Sequence, residues 1–291
     1  MRIAAHSGSY IGHRPNNEDS MGRVAPRDPA VLEAKGRLFV VCDGMGGASG
    51  GEIASQIAVE TILRAYYEAG GDPEADLEAA IREASSAISD RSANDPELAS
   101  MGSTTIALVV HGDRCIVGHV GDSRAYLLRS GVLRRMTRDH LHILDDLGVS
   151  EAEAETHPGK NILSRALGYP HACQPDIGTT DCRPGDRVLL CSDGLSDALT
   201  QGDIQQGLEQ STPEAAVELL LHVARSNDAR DNATALVIFI SRDETIEEPT
   251  HRIAFPTADV LSSPERVAAG SVSGRDGAES TASTTRNGGT R

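Results

Sequence analysis

A run of strand-forming residues, Leu38-Phe39-Val40-Val41-Cys42, stops at Asp43 and is followed by Gly44-Met45-Gly46-Gly47. Four to eight apolar residues bounded by glycine read as a buried strand. A carboxylate at the end of such a strand is costly to bury unless a cation or a donor meets it, and the glycines after it let a backbone or a ligand approach closely. The chain must therefore fold so that something positive sits at Asp43. Other apolar runs carry an aspartate in the same way. Residues 115–120 lead into Gly121-Asp122-Ser123, residues 188–191 into Ser192-Asp193-Gly194, and Asp231-Asn232 precedes residues 233–240. Each alone is an ordinary turn, because Asp and Gly favour turns for local hydrogen-bonding and steric reasons. If the four converge, they repel one another unless cations hold them. Ligation by oxygen alone suits Mg²⁺ or Mn²⁺ rather than zinc.

Around these points the periodicity alternates. Residues 1–25 read as two short strands about a polar loop, Gly12-His13-Arg14-Pro15-Asn16-Asn17-Glu18-Asp19-Ser20. Ile53, Ile57, Ala58, Ile62 and Ala65 fall at helical spacing, as do Leu77, Ile81, Ala84 and Ile88 in a helix opened by Pro73. Residues 103–110, 114–120, 124–128 and 132–136 read as strands, with Gly112-Asp113 and Ser130-Gly131 as hairpin turns. Pro213 opens a last helix, with Val217, Leu220, Leu221 and Ala224 on one face. Strands grouped apart from helix pairs indicate an α+β fold rather than a βαβ parallel sheet. Residues 137–168, polar and irregular, form an insertion long enough for a lid or binding loop, with a short helix near Ile143 to Leu147. From Arg242 onward, Ser, Thr, Gly, Pro, Arg and Glu dominate, so residues 242–291 are expected to be a disordered tail.

Charge narrows the partners. Of a net −16, the tail accounts for −2, leaving a strongly acidic folded part, which argues against nucleic acid or an anionic membrane surface. Tryptophan is absent and aromatics are 3% of the chain, so aliphatics and alanine must fill the core. The five cysteines (Cys42, Cys115, Cys173, Cys182, Cys191) show no CxxC spacing and read as buried thiols of a reducing compartment. With no apolar signal core at Met1–Gly8 and no stretch of about 20 apolar residues, a soluble, cytoplasmic, monomeric protein is expected.

The ordered set of motifs resembles the metal-dependent (PPM) protein phosphatases, the type 2C serine/threonine phosphatases, in their bacterial form. The matching stretches are Arg14-Pro15-Asn16-Asn17-Glu18-Asp19, Val41-Cys42-Asp43-Gly44-Met45-Gly46-Gly47, Met101-Gly102-Ser103-Thr104-Thr105, Val120-Gly121-Asp122-Ser123-Arg124-Ala125-Tyr126, Thr137-Arg138-Asp139-His140, His157-Pro158-Gly159-Lys160-Asn161, Arg165-Ala166-Leu167-Gly168, Cys191-Ser192-Asp193-Gly194-Leu195-Ser196-Asp197 and Asp231-Asn232-Ala233-Thr234. The resemblance covers residues 1–241 and implies a four-layer α-β-β-α sandwich, two antiparallel sheets flanked by helix pairs. It further implies phosphoserine/phosphothreonine hydrolysis by attack of a metal-bridging water, opposing a bacterial Ser/Thr kinase. By the same resemblance, Asp43 bridges two Mg²⁺ or Mn²⁺ ions with the Gly44 carbonyl beside it. Asp193 and Asp231 complete one ion's shell and Glu18 the other's. Asp122 with Asp193 holds a third ion, Arg14 clamps the phosphate, and Asp19 and Asn232 support the ligands.

The chain departs from many eukaryotic relatives at Met45, where they carry a histidine suited to protonate the leaving alkoxide. Met45 cannot donate. His140 lies in a matching motif, yet a lone histidine is more often a structural hydrogen-bonder, and that reading is preferred. The acids inside residues 137–168 (Asp145, Asp146, Glu151, Glu153, Glu155) either form a solvated face or select basic phosphopeptides. Two other classes compete. A regulatory pseudo-phosphatase would bind phosphoprotein without turnover, but such proteins lose metal acids, and here all five are present. A nucleotide-phosphate loop at residues 44–51 lacks both the GxxxxGK[ST] lysine and the GxGxxG spacing.

Overall fold

In the computed structural model, residues 1–46, 50–154, 157–169 and 171–242 are described; the expected tail, beyond Arg242, lies outside them. Chain order is β1 (Arg2–Tyr10), β2 (Asp19–Val24), α1 (Pro29–Lys35), β3 (Arg37–Met45), α2 (Gly50–Glu68), α3 (Pro73–Ala93), a 3-10 turn at Pro96–Leu98, β4 (Gly102–Ser103) and β5 (Thr105–His111). It continues with β6 (Arg114–Val120), β7 (Arg124–Arg129), β8 (Val132–Arg135), α4 (His142–Asp145), α5 (Glu151–Ala154), β9 (Asp176–Asp181), β10 (Arg187–Cys191), α6 (Asp193–Ala198), α7 (Gln201–Leu208), α8 (Pro213–Ser226) and β11 (Ala233–Ser241).

The strands pair antiparallel into two sheets, ordered β1-β11-β10-β7-β8 and β2-β3-β5-β6-β9, with β4 paired to β3. Alternation along each central strand sorts side chains between two cores. In β3, Leu38, Val40 and Cys42 face α2 and α3, while Phe39 and Val41 face the other sheet. In β11, Val237 and Phe239 face α7 and α8, while Leu236, Ile238 and Ile240 enter the inter-sheet layer. Both faces being buried is why these strands read as unbroken apolar runs. The result is the expected α-β-β-α sandwich. All five cysteines are buried and unpaired. Among the described residues, no helix is long and apolar enough to cross a membrane.

The sequence reading missed several elements. Strand β9, Asp176-Ile177-Gly178-Thr179-Thr180-Asp181, is a mostly exposed edge strand pairing only with β6, so it carries no apolar signature. The turn expected at Asp193 is instead the start of α6, with Ser192 as its N-cap. Helices α1 and α7 are short, but their caps were legible. Asp28 accepts from the Ala30 N–H ahead of Pro29, and Thr200 with Asp203 forms a reciprocal capping box.

One charged pair sits inside the framework. Lys35 and Asp76 are both buried and joined by a short ion pair, and the Asp76 carboxylate also accepts from the Gly71 N–H. Removing one partner strands the other charge away from water. Asp76→Asn is expected to lower unfolding free energy in urea by about 3 kcal/mol, whereas Asp90→Asn on the exposed face of the same helix should change it little.

Candidate metal centre

Antiparallel pairing determines which strand ends meet. β2 and β5 flank β3, and β6 follows β5, so the start of β2 and the ends of β3 and β6 lie at one end of the second sheet. In the first sheet, the end of β10 and the start of β11 lie together. Glu18, Asp43, Asp122, Asp193 and Asp231 occupy those five positions. With Arg14, Gly44 and Asn232 they line a single cavity of about 940 Å³. Of the ligand, clamp and support residues that the resemblance implies, only Asp19 is absent from the cavity lining, its backbone paired directly opposite Asp43.

Hydrogen bonds fix the two sheet ends to each other. The Glu18 N–H donates to Asn232 Oδ1 at 2.7 Å, and Asn232 Nδ2 donates to the carbonyls of Ile11 (2.8 Å) and Asn16 (3.0 Å). Ser192 Oγ donates to Asp19 Oδ2 at 2.7 Å. Asp43 is held by Thr104, whose hydroxyl accepts from the Asp43 N–H (3.0 Å) and whose N–H donates to the Asp43 carbonyl (2.8 Å). Thr104 Oγ1 also lies 2.7 Å from Ser123 Oγ, linking Asp43 to the turn that carries Asp122. Gly121 in that turn has φ +102°, and a Cβ there would stand 2.6 Å from Thr104 Cγ2, so only glycine fits. Thr104 and Ser192 sit within quoted motifs, but no role was read for them. Small hydroxyl residues beside strands are too common to stand out.

His140 brackets the same turn. Its N–H donates to the Gly121 carbonyl, its Nδ1 accepts from the Gly121 N–H at 3.2 Å, and its Nε2 lies 3.1 Å from Asp176 Oδ2. With Nδ1 accepting, the ring proton resides on Nε2 and is donated to Asp176. Burial, followed by the neighbouring His119, pushes the imidazole pKa down to about 4. His119, His140 and Asp176 lie close enough to suggest a second metal site. Metal at His140 Nε2 would require an imidazolate there, since Nδ1 is already an acceptor, and the Arg165 guanidinium lies 3.3 Å from the same atom. The histidine is a structural brace.

The electrostatics of the cavity are those of an unneutralised anion site. Burial, then the charges of Asp193, Asp19 and Asp122, raises the Asp43 pKa far above the ordinary carboxylate range. Burial and the Asp193 charge do the same to Asp122. Asp193 is raised by burial, and Asp19 is pushed up to about 7, again by burial first. Glu18 is raised chiefly by burial, against the pull of Arg14. Arg14 Nη2 donates to Oδ2 of Asp231, the fifth carboxylate of the cavity lining, at 2.6 Å. The donor set suits divalent cations. Asp193 Oδ1 and Asp19 Oδ1 are buried without a hydrogen-bond partner, every donor is a hard oxygen, and Asp19 faces Asp43 across the ladder, where like charges destabilise. Glu18 fits against Gly51 because that residue lacks a side chain: a Cβ would lie 2.7 Å from Glu18 Cδ.

Residues 16–241 match the Protein phosphatase 2C family, and this chain belongs to it. It is 36% identical over 241 residues to the serine/threonine protein phosphatase PstP of Mycobacterium tuberculosis, covering 81% of this chain but 44% of that protein. The chain thus spans less than half the length of that relative. The serine/threonine phosphatase stp of Listeria innocua is 32% identical over 234 residues, 77% of this chain and 90% of its own. Among solved structures, M. tuberculosis PstP/Ppp superposes with a TM-score of 0.72 at 34% identity, covering 82% of this chain and 99% of that one. The PstP catalytic domain crystallised with two manganese ions gives 0.70 at 34%, covering 82% and 98%.

Because folding raises these carboxyl pKa values, their ionisation opposes folding. The metal-free protein should lose stability as pH rises from the usual aspartate value of 3.8 through about 7, the value at Asp19. Cations compete with the same protons, so Mn²⁺ affinity should rise over that interval. Calorimetric titration is expected to show Mn²⁺ binding about tenfold tighter at pH 7.5 than at pH 5.5. The melting-temperature gain in Mn²⁺ should shrink sharply in Asp193→Ala and in Gly51→Ala.

Proposed function

We propose that residues 1–241 form a metal-dependent protein serine/threonine phosphatase, hydrolysing phosphoserine and phosphothreonine on proteins modified by a Ser/Thr kinase. The observation that carries this reading is five carboxylates lining one cavity, three of them (Asp43, Asp122, Asp193) pushed up by burial, with a guanidinium on its rim, in a chain of the phosphatase 2C family. In this reading Asp43, the Gly44 carbonyl, Asp193, Asp231 and Glu18 hold two Mg²⁺ or Mn²⁺ ions, and Asp122 with Asp193 holds a third. Such ions, when bound, lower the pKa of water and neutralise charge on a phosphoryl group. Asn232, Thr104 and Ser192 keep the carboxylates in register, so little reorganisation is needed during reaction.

Arg14 is the group that binds substrate. It is exposed, reaches over the cavity and already pairs with a carboxylate. Turning from Asp231 onto a phosphoryl group exchanges one anionic partner for another, with the guanidinium fork suited to two oxygens at once. Met45 cannot protonate the leaving oxygen, and His140 does not line the cavity. Phosphate esters whose leaving groups need no proton should therefore be favoured.

Phosphate release from a phosphothreonine peptide is expected with Mn²⁺ or Mg²⁺ and not with EDTA, and Asp43→Ala should reduce it by about 10²-fold or more. Release that survives EDTA overturns the mechanism. His140→Ala should cost stability, by about 1–3 kcal/mol for the unpaired Gly121 N–H, while keeping most turnover of an aryl phosphate. A collapse to the Asp193→Ala level would make His140 part of the chemistry.

A further inference from the structure

The cavity has a second wall that the phosphate chemistry leaves unexplained. Its apolar part comes from Ile162, Leu163, Ala166, Tyr169 and Ala172, in a segment that also presents Asn161, Ser164 and Arg165, with Met45 contributing from β3. Ile162 is 57% exposed and Tyr169 40%, so large apolar surfaces face solvent beside a polar centre. Exposed apolar side chains held at a binding cavity mark what that cavity receives.

This wall is rigid. The Tyr169 hydroxyl donates to the Ser100 carbonyl at 2.9 Å, and the Tyr169 carbonyl accepts from Ala172 (2.8 Å) and Cys173 (3.1 Å). Gly102 lies beneath the ring. A Cβ there would stand 2.7 Å from Tyr169 Cε2 and 3.4 Å from Met45 Cγ, so the absent side chain lets the tyrosine and the methionine close over one spot. Two hydrogen bonds between the backbones of Ser103 and Leu167 (3.2 and 2.8 Å) fasten the segment to β4. The Ile162 carbonyl accepts from the His142 N–H at 2.8 Å.

Three acids of the insertion are engaged by neighbouring side chains. Asp145 pairs with Arg138 and accepts from Ser164, Asp146 lies 2.6 Å from His142 Nδ1, and Glu153 accepts from Ser150. None of them lines this cavity. Glu151 lines a neighbouring pocket together with Asp122, Asn161 and Asp193, and Glu155 lies outside the described residues.

We infer that Met45, Ile162 and Tyr169 form an apolar shelf that selects phosphoproteins carrying an aliphatic side chain immediately next to the phosphorylated residue. The inference rests on the phosphatase reading, and its occupant is continuous with the phosphate site: a peptide whose phosphate is held at Arg14 must run its flanking residues along the neighbouring wall. A shelf organised in advance spends no binding energy on ordering itself. An aliphatic neighbour gains there what a polar one does not.

The test compares phosphothreonine peptides flanked on both sides by leucine or by serine, in Mn²⁺. The leucine peptide is expected to be turned over with a kcat/KM about tenfold higher. In Ile162→Ser and in Tyr169→Ser that ratio should fall to within about twofold of one, a loss located on the leucine peptide. Gly102→Ala, which displaces Tyr169 without changing its chemistry, should also lower the ratio. Equal rates in the unmutated protein, or a preference surviving in both serine variants, overturn the shelf. Absence of phosphate release from both peptides counts against the phosphatase reading instead. In that event binding of the same two peptides, measured by fluorescence anisotropy in Mn²⁺, decides, and equal affinities overturn the shelf.

Discussion

The mutual repulsion of carboxylates drawn from water at one end of the sandwich governs the rest of the molecule. Asp19 and Asp43 face each other across a ladder, and Asp122 and Asp193 raise the charge around them. Local contacts such as the hydrogen bond from Ser192 Oγ to Asp19 Oδ2 offset only part of that repulsion. The arrangement persists because the apolar layers on either side of each sheet leave these strand ends nowhere else to go, and because neutral hydrogen-bonding residues lock each backbone in place. The fold holds its acids in a costly geometry, and divalent cations are what such a geometry is suited to receive. Stability and function are thus in opposition at this end of the protein, as they are wherever a site is organised before its ligand arrives.

Much of this was legible in the residues. Asp43 could be placed at a strand end because five apolar residues precede it and glycine follows. The central strands announced themselves because both of their faces are buried. Convergence was not legible from spacing: whether Asp43 and Asp193 meet depends on two sheets stacking, which no local pattern encodes. The ordered motifs brought in that information from outside the residues' own chemistry. Strand β9 escaped because an edge strand with one neighbour needs no apolar residues. Asp193 misled because Ser-Asp-Gly serves equally as a turn and as the first turn of a helix, and the choice is made by the packing of Leu195 into the core beneath α8.

Met45 acquires a second meaning from the structure. From the sequence it was only the absence of a proton donor. In the fold its side chain meets Tyr169 over Gly102 and joins the apolar wall. One substitution relative to histidine-bearing relatives thereby removes an acid from the centre and adds hydrophobic surface at its edge.

Asn232 has a consequence for when the protein can work. Its side chain reaches the Glu18 backbone across 214 positions of sequence and the Ile11 carbonyl across 221, and β11, which follows it, pairs along its length with the first strand of the chain. Contacts between residues so far apart close late, because the loop entropy is met before the contact rewards it. A chain emerging from the ribosome can assemble the β3–β5–β6 meander and its helices early, but has no ordered carboxylate cluster until its last strand is available. The carboxylate cluster is therefore built last, which withholds it from nascent and truncated chains alike.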